Sequence, residues 1–376
     1  MTDLQTILDD AVAAGHAPGF SAAMITADGR RLSAAAGRRG PDDAAPVTGD
    51  TLFWIASCTK AITSVAALQL VERGLLALDA PVGDRLPRLA SPRVLVGFDA
   101  DGGPITRPAT APITLRRLLT HTSGLAYDFA SADLARYLAA TGETLMGASE
   151  PDLPLMFEPG EGWLYGTGVD WAGKLVESAS GQGLDAYFAE HIFAPLGMTD
   201  TTFFPDADQL TRRAGVGQKL PDGGFMAIPF AMPTAPHFMM GGGGLYSTAG
   251  DYLKFLAAIA GGGAPLLRPE TFALMMSNQV GDFDAGELES AQPLLSHSYA
   301  PLPGVTRRWG LAGLLNLEPV EGRRSAGGLA WAGLANAYYW ADPAAGAAGV
   351  LLAQIFPFAD PGVLATFEAI ERAAYA

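Results

Sequence analysis

Residues 57–73 read Ser57-Cys58-Thr59-Lys60-Ala61-Ile62-Thr63-Ser64-Val65-Ala66-Ala67-Leu68-Gln69-Leu70-Val71-Glu72-Arg73. Apolar side chains recur almost all the way round a helical wheel here, and a helix of that kind is buried at the centre of a domain. Gly74 supplies its stop signal. Ser57 and Lys60 stand three apart at the start, so on a helix they occupy neighbouring positions of one face. A hydroxyl is a weak nucleophile until a base takes its proton, and a nearby neutral lysine can be that base. Apolar neighbours such as Ile55, Ile62 and Val65 push a buried amine towards its neutral form. The helix N-terminus offers donors and a positive dipole end to a developing anion. An N-cap serine followed by a lysine that reaches back to solvent has the same spelling, so these four residues alone leave both readings open.

Working outward, Leu4, Ile7, Leu8, Ala11 and Val12 recur at helical spacing between Asp3 and Gly15. Residues 20–26 and 31–36 flank Asp28-Gly29 as the strands of a hairpin do. Residues 80–165 are richer in Pro, Gly, Asp and Thr, with short periodic pieces such as 115–119. Residues 169–178, 184–192 and 249–259 carry helical spacing, while 261–308 read as loops with one short helix. The end changes character: 310–317, 336–341 and 349–356 are predicted antiparallel strands, and 363–374 a final helix with Val363, Leu364, Phe367 and Ile370 on one face. Both termini thus share strand-plus-helix character around a helical, loop-rich middle. The expectation is an α+β chain, with residues 1–80 and 300–376 forming one α/β domain and residues 81–299 a helical insertion.

The 376 residues are 49% hydrophobic and 17% charged, which excludes a disordered chain. A formal net charge of −15 argues against non-specific binding to nucleic acid or anionic lipid, both of which it would repel. Cys58 is the one cysteine, so no intrachain disulfide is expected. The start, Met1-Thr2-Asp3-Leu4-Gln5, lacks a charged segment leading into an apolar one, and no run of about 18 apolar residues occurs. A soluble, cytoplasmic protein without a membrane partner is expected. Five scattered histidines and Cys58 show no zinc spacing, so neither metal nor cofactor is expected. A Ser-His-Asp triad through His121, His237 or His297 has no spacing in its favour, and no G-x-S-x-G element is present. The run Gly241-Gly242-Gly243-Gly244 is followed by neither Lys-Ser nor Lys-Thr, which points to a close backbone approach rather than a phosphate loop.

Several short elements share an order along the chain: Ser57-Cys58-Thr59-Lys60, then Leu118-Leu119-Thr120-His121-Thr122-Ser123-Gly124-Leu125, Pro159-Gly160-Glu161-Gly162-Trp163-Leu164-Tyr165, Pro195-Leu196-Gly197-Met198, and Gly241 to Asp251. Together they resemble the serine β-lactamase and penicillin-binding-protein superfamily, most nearly its class C β-lactamase-like esterases, the family VIII carboxylesterases. The likeness runs from about Pro18 to Pro343. It implies a β-lactamase-like fold, an antiparallel sheet flanked by helices beside a helical domain. It implies Ser57 as the acylated nucleophile, Lys60 as its partner, and Tyr165 as acid and base in a pair that titrates with Lys60. It implies an oxyanion hole from the backbone N–H groups of Ser57 and Leu334.

The family's third motif, often K-T-G, W-G-G or H-T-G, falls on Trp331-Ala332-Gly333 in an expected edge strand beside the site. Trp331 stands where β-lactamases carry a lysine that binds a carboxylate, and offers an apolar wall and one N–H suited to a neutral ester. Thr167 stands where class C β-lactamases carry an asparagine. The resemblance assigns the segment around His121 to structure, and Asp170 needs no more than the role of a helix N-terminal charge. Trp331, Gly333, Thr167, Trp163, Phe238 and Met239 are the expected substrate-binding residues, with Met240 and Trp309 beside them; apolar core explains the last aromatic and methionine positions equally well. The implied activity is hydrolysis of small esters without cofactor; the alternatives are an acyltransferase using the same acyl-enzyme and an amide-cleaving β-lactamase or peptidase.

Overall fold

The computed structural model describes residues 3–145, 153–230, 232–233 and 238–376. The chain opens with α1 (Leu4–Ala13) and the hairpin β1 (Gly19–Ile25) and β2 (Arg31–Gly37), whose connection carries Gly29 at φ +86°. β3 (Phe53–Trp54) and a 3-10 turn at Ala56–Cys58 lead into α2 (Thr59–Glu72). Next come β4 (Arg93–Phe98), β5 (Pro104–Pro108), α3 (Leu115–Leu119), α4 (Ala132–Thr141), α5 (Gly168–Ser180), α6 (Leu184–Phe188), α7 (Ala194–Leu196) and α8 (Ala207–Thr211). β6 (Gly217–Lys219), β7 (Phe225–Ala227), β8 (Tyr246–Ser247), α9 (Ala249–Ala260) and α10 (Pro269–Met275) follow. The chain ends with β9 (Arg307–Trp309), β10 (Leu314–Asn316), β11 (Leu329–Gly333), β12 (Ala337–Asp342), β13 (Ala347–Leu352), β14 (Ile355–Phe356) and α11 (Pro361–Ala374).

Seven strands form one antiparallel sheet in the order β2-β1-β13-β12-β11-β10-β9. Successive residues of β12 serve opposite layers, as a strand's period of two requires. Tyr338 and Trp340 pack on Phe367 of α11, while Tyr339 packs on Tyr252 of α9. β12 and β13 are buried at every position, so they read as continuous apolar runs without alternation. α2 lies deeper in the helical layer, with every residue from Thr59 to Leu68 buried, and packs along α5. The all-round apolar pattern thus marks a central helix. Its end falls at Gly74, which adopts φ +70°.

Some expectations need correcting. Residues 310–317 are not one strand: Gly310 N–H bonds the Gly313 carbonyl at 2.9 Å, and this turn separates β9 from β10. β10 of that hairpin pairs with Leu329 and Ala330 only, so β11 is an inner strand at its start while Trp331-Ala332-Gly333 pairs with β12 alone. The run 349–356 breaks after Leu352, because Ile355 and Phe356 leave the sheet to pair parallel with β6. The hairpin β4–β5 arises in a segment read as irregular; the Asp101-Gly102 pair was its available signal, with Gly102 at φ +87°. Among the described residues, no helix is long and apolar enough to cross a membrane, and no group of three or more His, Cys, Asp or Glu side chains could hold a metal ion.

Candidate active site

Ser57 sits in the 3-10 turn ahead of α2 rather than in the helix itself, while Lys60 belongs to the first turn of α2. The residue before it, Ala56, has φ +45°, a left-handed conformation unusual outside glycine. Several bonds hold that conformation. Ile55 N–H bonds the Leu245 carbonyl at 3.0 Å. The Thr59 hydroxyl donates to the Ala56 carbonyl at 2.6 Å and accepts from Leu245 N–H at 3.2 Å. Tyr252 donates its hydroxyl to the Cys58 carbonyl at 2.8 Å. Cys58 itself is buried, and burial pushes its thiol up, so it is no competing nucleophile.

Lys60 Nζ lies 3.1 Å from Ser57 Oγ, 3.0 Å from the Tyr127 hydroxyl and 2.7 Å from the Gly242 carbonyl. Tyr127 donates its hydroxyl to Asp170 Oδ2 at 2.7 Å, and Asp170 Oδ1 accepts from Gly242 N–H at 2.8 Å. Lys60, Tyr127, Asp170 and Gly242 therefore close a hydrogen-bonded ring in the protein interior. Burial raises the Asp170 carboxyl above the usual carboxylate range, and the Lys60 charge and the bonds from Tyr127 and Gly242 offset only part of that rise. Burial first, and the neighbouring Asp170 second, raise the Tyr127 phenol well above its ordinary value. Asp170 is thus part of the Lys60 environment and not merely a charge at a helix start. Tyr127, missed in the sequence, was legible only as an aromatic three residues after Gly124.

The glycine run supplies this ring with backbone. Successive carbonyls of Gly241, Gly242 and Gly243 accept from Thr63 Oγ1 at 2.5 Å, Lys60 Nζ at 2.7 Å and Trp54 Nε1 at 2.7 Å. A Cβ on Gly242 would lie 2.4 Å from the Asp170 carboxylate, whereas one on Gly243 would meet nothing closer than 3.9 Å. Gly242→Ala should therefore cost about 1–3 kcal/mol in urea unfolding and reduce turnover, while Gly243→Ala should leave both near the parent value. Equal effects of the two substitutions would show that the close approach is unimportant.

Tyr165 reaches the same region from the loop before α5. Its ring packs on His121 at 4.7 Å, Trp331 at 5.0 Å and Tyr127 at 5.4 Å between centroids, and Lys60 Nζ lies 4.8 Å from its ring centre. Its hydroxyl oxygen accepts from Trp331 Nε1 at 3.0 Å. Lys60 thus hydrogen-bonds Tyr127 and faces the Tyr165 ring, and the one indole N–H of Trp331 goes to Tyr165 rather than towards a ligand. β11 is brought against the Ser57 turn by Gly333, where a Cβ would lie 2.3 Å from the Ile55 carbonyl oxygen. Ser57, Tyr165, Trp331, Ala332 and Leu334 line one small cavity with Phe129, Leu288 and Phe358, which make it largely apolar.

Other expected residues fall elsewhere. Thr167 is buried as the N-cap of α5, with its carbonyl taken by Asp170 N–H at 3.0 Å. Trp163 packs on Trp309 and His121. Phe238 stacks edge-on to Trp171 under Lys174 of α5, and Met239 approaches Gly183 before α6. His297 bonds the loop around Phe358 and Ala359, and His237 lies outside the described residues.

A family model described as Beta-lactamase matches residues 4–373. The chain is 37% identical over 350 residues to monacolin J acid methylbutanoyltransferase of Aspergillus terreus, covering 88% of this chain and 83% of that protein. It is 35% identical over 300 residues to lovastatin esterase of Penicillium rubens, covering 76% and 74% of the two chains. Among solved structures, the unliganded simvastatin synthase (LovD) of Aspergillus terreus superposes with a TM-score of 0.87 at 33% identity, covering 99% of this chain and 97% of that one.

Proposed function

This chain belongs to the beta-lactamase family, and within it we propose a serine carboxylesterase that hydrolyses small esters through an acyl-enzyme on Ser57. The observation that carries this reading is the 3.1 Å contact between Lys60 Nζ and Ser57 Oγ on the wall of a cavity that Tyr165 shares. The ester carbonyl oxygen docks at the backbone N–H groups of Ser57 and Leu334. Ser57 Oγ attacks the carbonyl carbon as its proton passes to the Lys60/Tyr165 pair. The bond to the alcohol oxygen then breaks, the alcohol leaves with that proton, and the acyl group stays on Ser57. Water repeats the sequence in reverse: it gives a proton to the pair, its oxygen attacks the acyl carbon, and Ser57 Oγ departs protonated, releasing the acid.

Tyr165 suits the acid–base role better than Tyr127. The Tyr127 hydroxyl is committed to Asp170, whereas the Tyr165 oxygen, held on the cavity wall by the Trp331 N–H, is the oxygen that takes up the Ser57 proton and returns it. The apolar wall of Phe129, Leu288, Leu334 and Phe358 suits an uncharged acyl or alcohol group.

The identity to monacolin J acid methylbutanoyltransferase favours one second reading, in which an alcohol takes the acyl group in place of water. Brief exposure to a panel of p-nitrophenyl esters, followed by peptide mass spectrometry, tests the first step. The acyl mass should appear on the peptide holding Ser57, and turnover without an adduct there overturns the reading. Added alcohol then separates the acceptors, since hydrolysis yields the free acid and transfer the new ester.

A further inference from the structure

We propose that His121 is a positioning residue for Tyr165, gripping the backbone on both sides of it and walling its ring; the proposal rests on the acid–base reading of Tyr165 given above. The carbonyl of His121 accepts from Leu164 N–H at 3.0 Å, one residue before Tyr165. Its Nδ1 accepts from Gly166 N–H at 3.3 Å, one residue after. The imidazole then packs against the phenol ring between these two anchors, with centroids 4.7 Å apart. His121 thus meets Tyr165 with its backbone carbonyl on one side and its imidazole on the other side and on the ring face.

The arrangement requires one form of the ring. Nδ1 can accept from Gly166 only when it carries no proton, so the proton sits on Nε2. Nε2 is buried without a hydrogen-bond partner, in an aromatic setting made by Trp309 at 5.0 Å and Trp163 at 6.0 Å between centroids. Burial first, and the Lys60 charge second, hold the imidazole well below the usual histidine range, so it stays neutral. A buried histidine with an empty donor is poorly explained by packing alone, because leucine or phenylalanine would fill the space without a desolvated N–H. His121 also holds φ +58°, a conformation that strains most side chains and that asparagine tolerates. The strain is supported by the contact between segments: Gly166 is so close to Leu125 that a Cβ there would lie 2.0 Å from its carbonyl oxygen.

The structure thus assigns the side-chain acceptor of His121 a role that an apolar residue cannot fill. Asn can fill it, since its Oδ1 occupies much the place of Nδ1. His121→Asn should keep kcat for a p-nitrophenyl ester within about fivefold, whereas His121→Phe should lower kcat by about 10- to 100-fold with KM little changed, the scale of a small misplacement of a reacting group. The two substitutions are made again in Tyr165→Phe. If His121 acts through the phenol hydroxyl, His121→Phe costs little further kcat there. A loss of the same factor in both backgrounds overturns the proposal in favour of a general structural role, as does a His121→Phe enzyme that keeps full kcat, or a His121→Asn enzyme no better than His121→Phe. Fluorophosphonate titration of Ser57 counts folded sites throughout, so kcat is expressed per competent enzyme. The acid–base reading fails separately, and visibly, if Tyr165→Phe alone leaves kcat unchanged.

Discussion

Ser57→Ala should abolish covalent labelling by a fluorophosphonate and lower turnover of a p-nitrophenyl ester by about 10⁴-fold or more, because removing a nucleophile removes the covalent route and leaves only what binding and the oxyanion hole supply. The fold should survive. The turn around Ser57 is held by the bonds of Ile55, Thr59, Cys58 and Tyr252, none of which uses the Ser57 side chain. Lys60 loses one of three acceptors and keeps Tyr127 and Gly242. Urea unfolding should shift by no more than about 1 kcal/mol, the net value of one hydrogen bond. A Ser57→Ala enzyme that still hydrolyses the ester at the parent rate would remove the serine from the chemistry. The nearby thiol could not rescue such an activity, since Cys58 is buried and held protonated.

How much of this was legible in the sequence depends on the range of the interaction. The burial of α2 could be read because an all-round apolar pattern is local, and so could the helix stop at Gly74. Ser57 and Lys60 meet although they do not share a helix turn: the 3-10 turn places the hydroxyl close to where an α-helix would have put it. The short distance along the chain tolerated the wrong local geometry. Register is less forgiving. The assignment of Trp331 to an edge strand holds for the end of β11 and not for its start, because nothing in Leu329 to Gly333 records that β10 pairs with Leu329 and Ala330 and stops short of Trp331.

The same limit hid the ring around Lys60. Its members come from α2, the loop after α3, α5 and the glycine run, and each has an adequate local explanation: an aromatic in a loop, an acid in a first helical turn, a flexible turn. Only their convergence shows that Asp170 faces the buried amine and that Gly242 lacks a side chain because the Asp170 carboxylate occupies its place. Trp331 makes the point from the other side. Its identity was legible and its indole direction was not, so the N–H expected to meet a ligand meets Tyr165 instead. A Trp at this position therefore does more than remove a cation: it couples β11 to the phenol.

That coupling decides between the two phenols near Lys60. Tyr165→Phe should lower kcat by about 10²- to 10⁴-fold, the usual range for loss of a general acid–base group, and should cost only about 1 kcal/mol in stability, since the ring contacts to His121, Trp331 and Tyr127 persist and the Trp331 N–H alone loses its acceptor. Tyr127→Phe is the opposite case. It takes an acceptor from Lys60 and a donor from a buried carboxylate, so it should cost about 1–3 kcal/mol in urea unfolding, the penalty of an unsatisfied buried polar group. Its effect on kcat should be the smaller of the two, near tenfold, because Lys60 keeps Ser57 and Gly242 and the phenol bordering the cavity is untouched. Measuring kcat and unfolding free energy for both variants gives a two-by-two comparison in which the larger loss of activity and the larger loss of stability should fall on different variants. If Tyr127→Phe proves the more damaging to kcat while remaining folded, the proton travels through Tyr127 and Asp170, and Tyr165 is only a wall of the cavity.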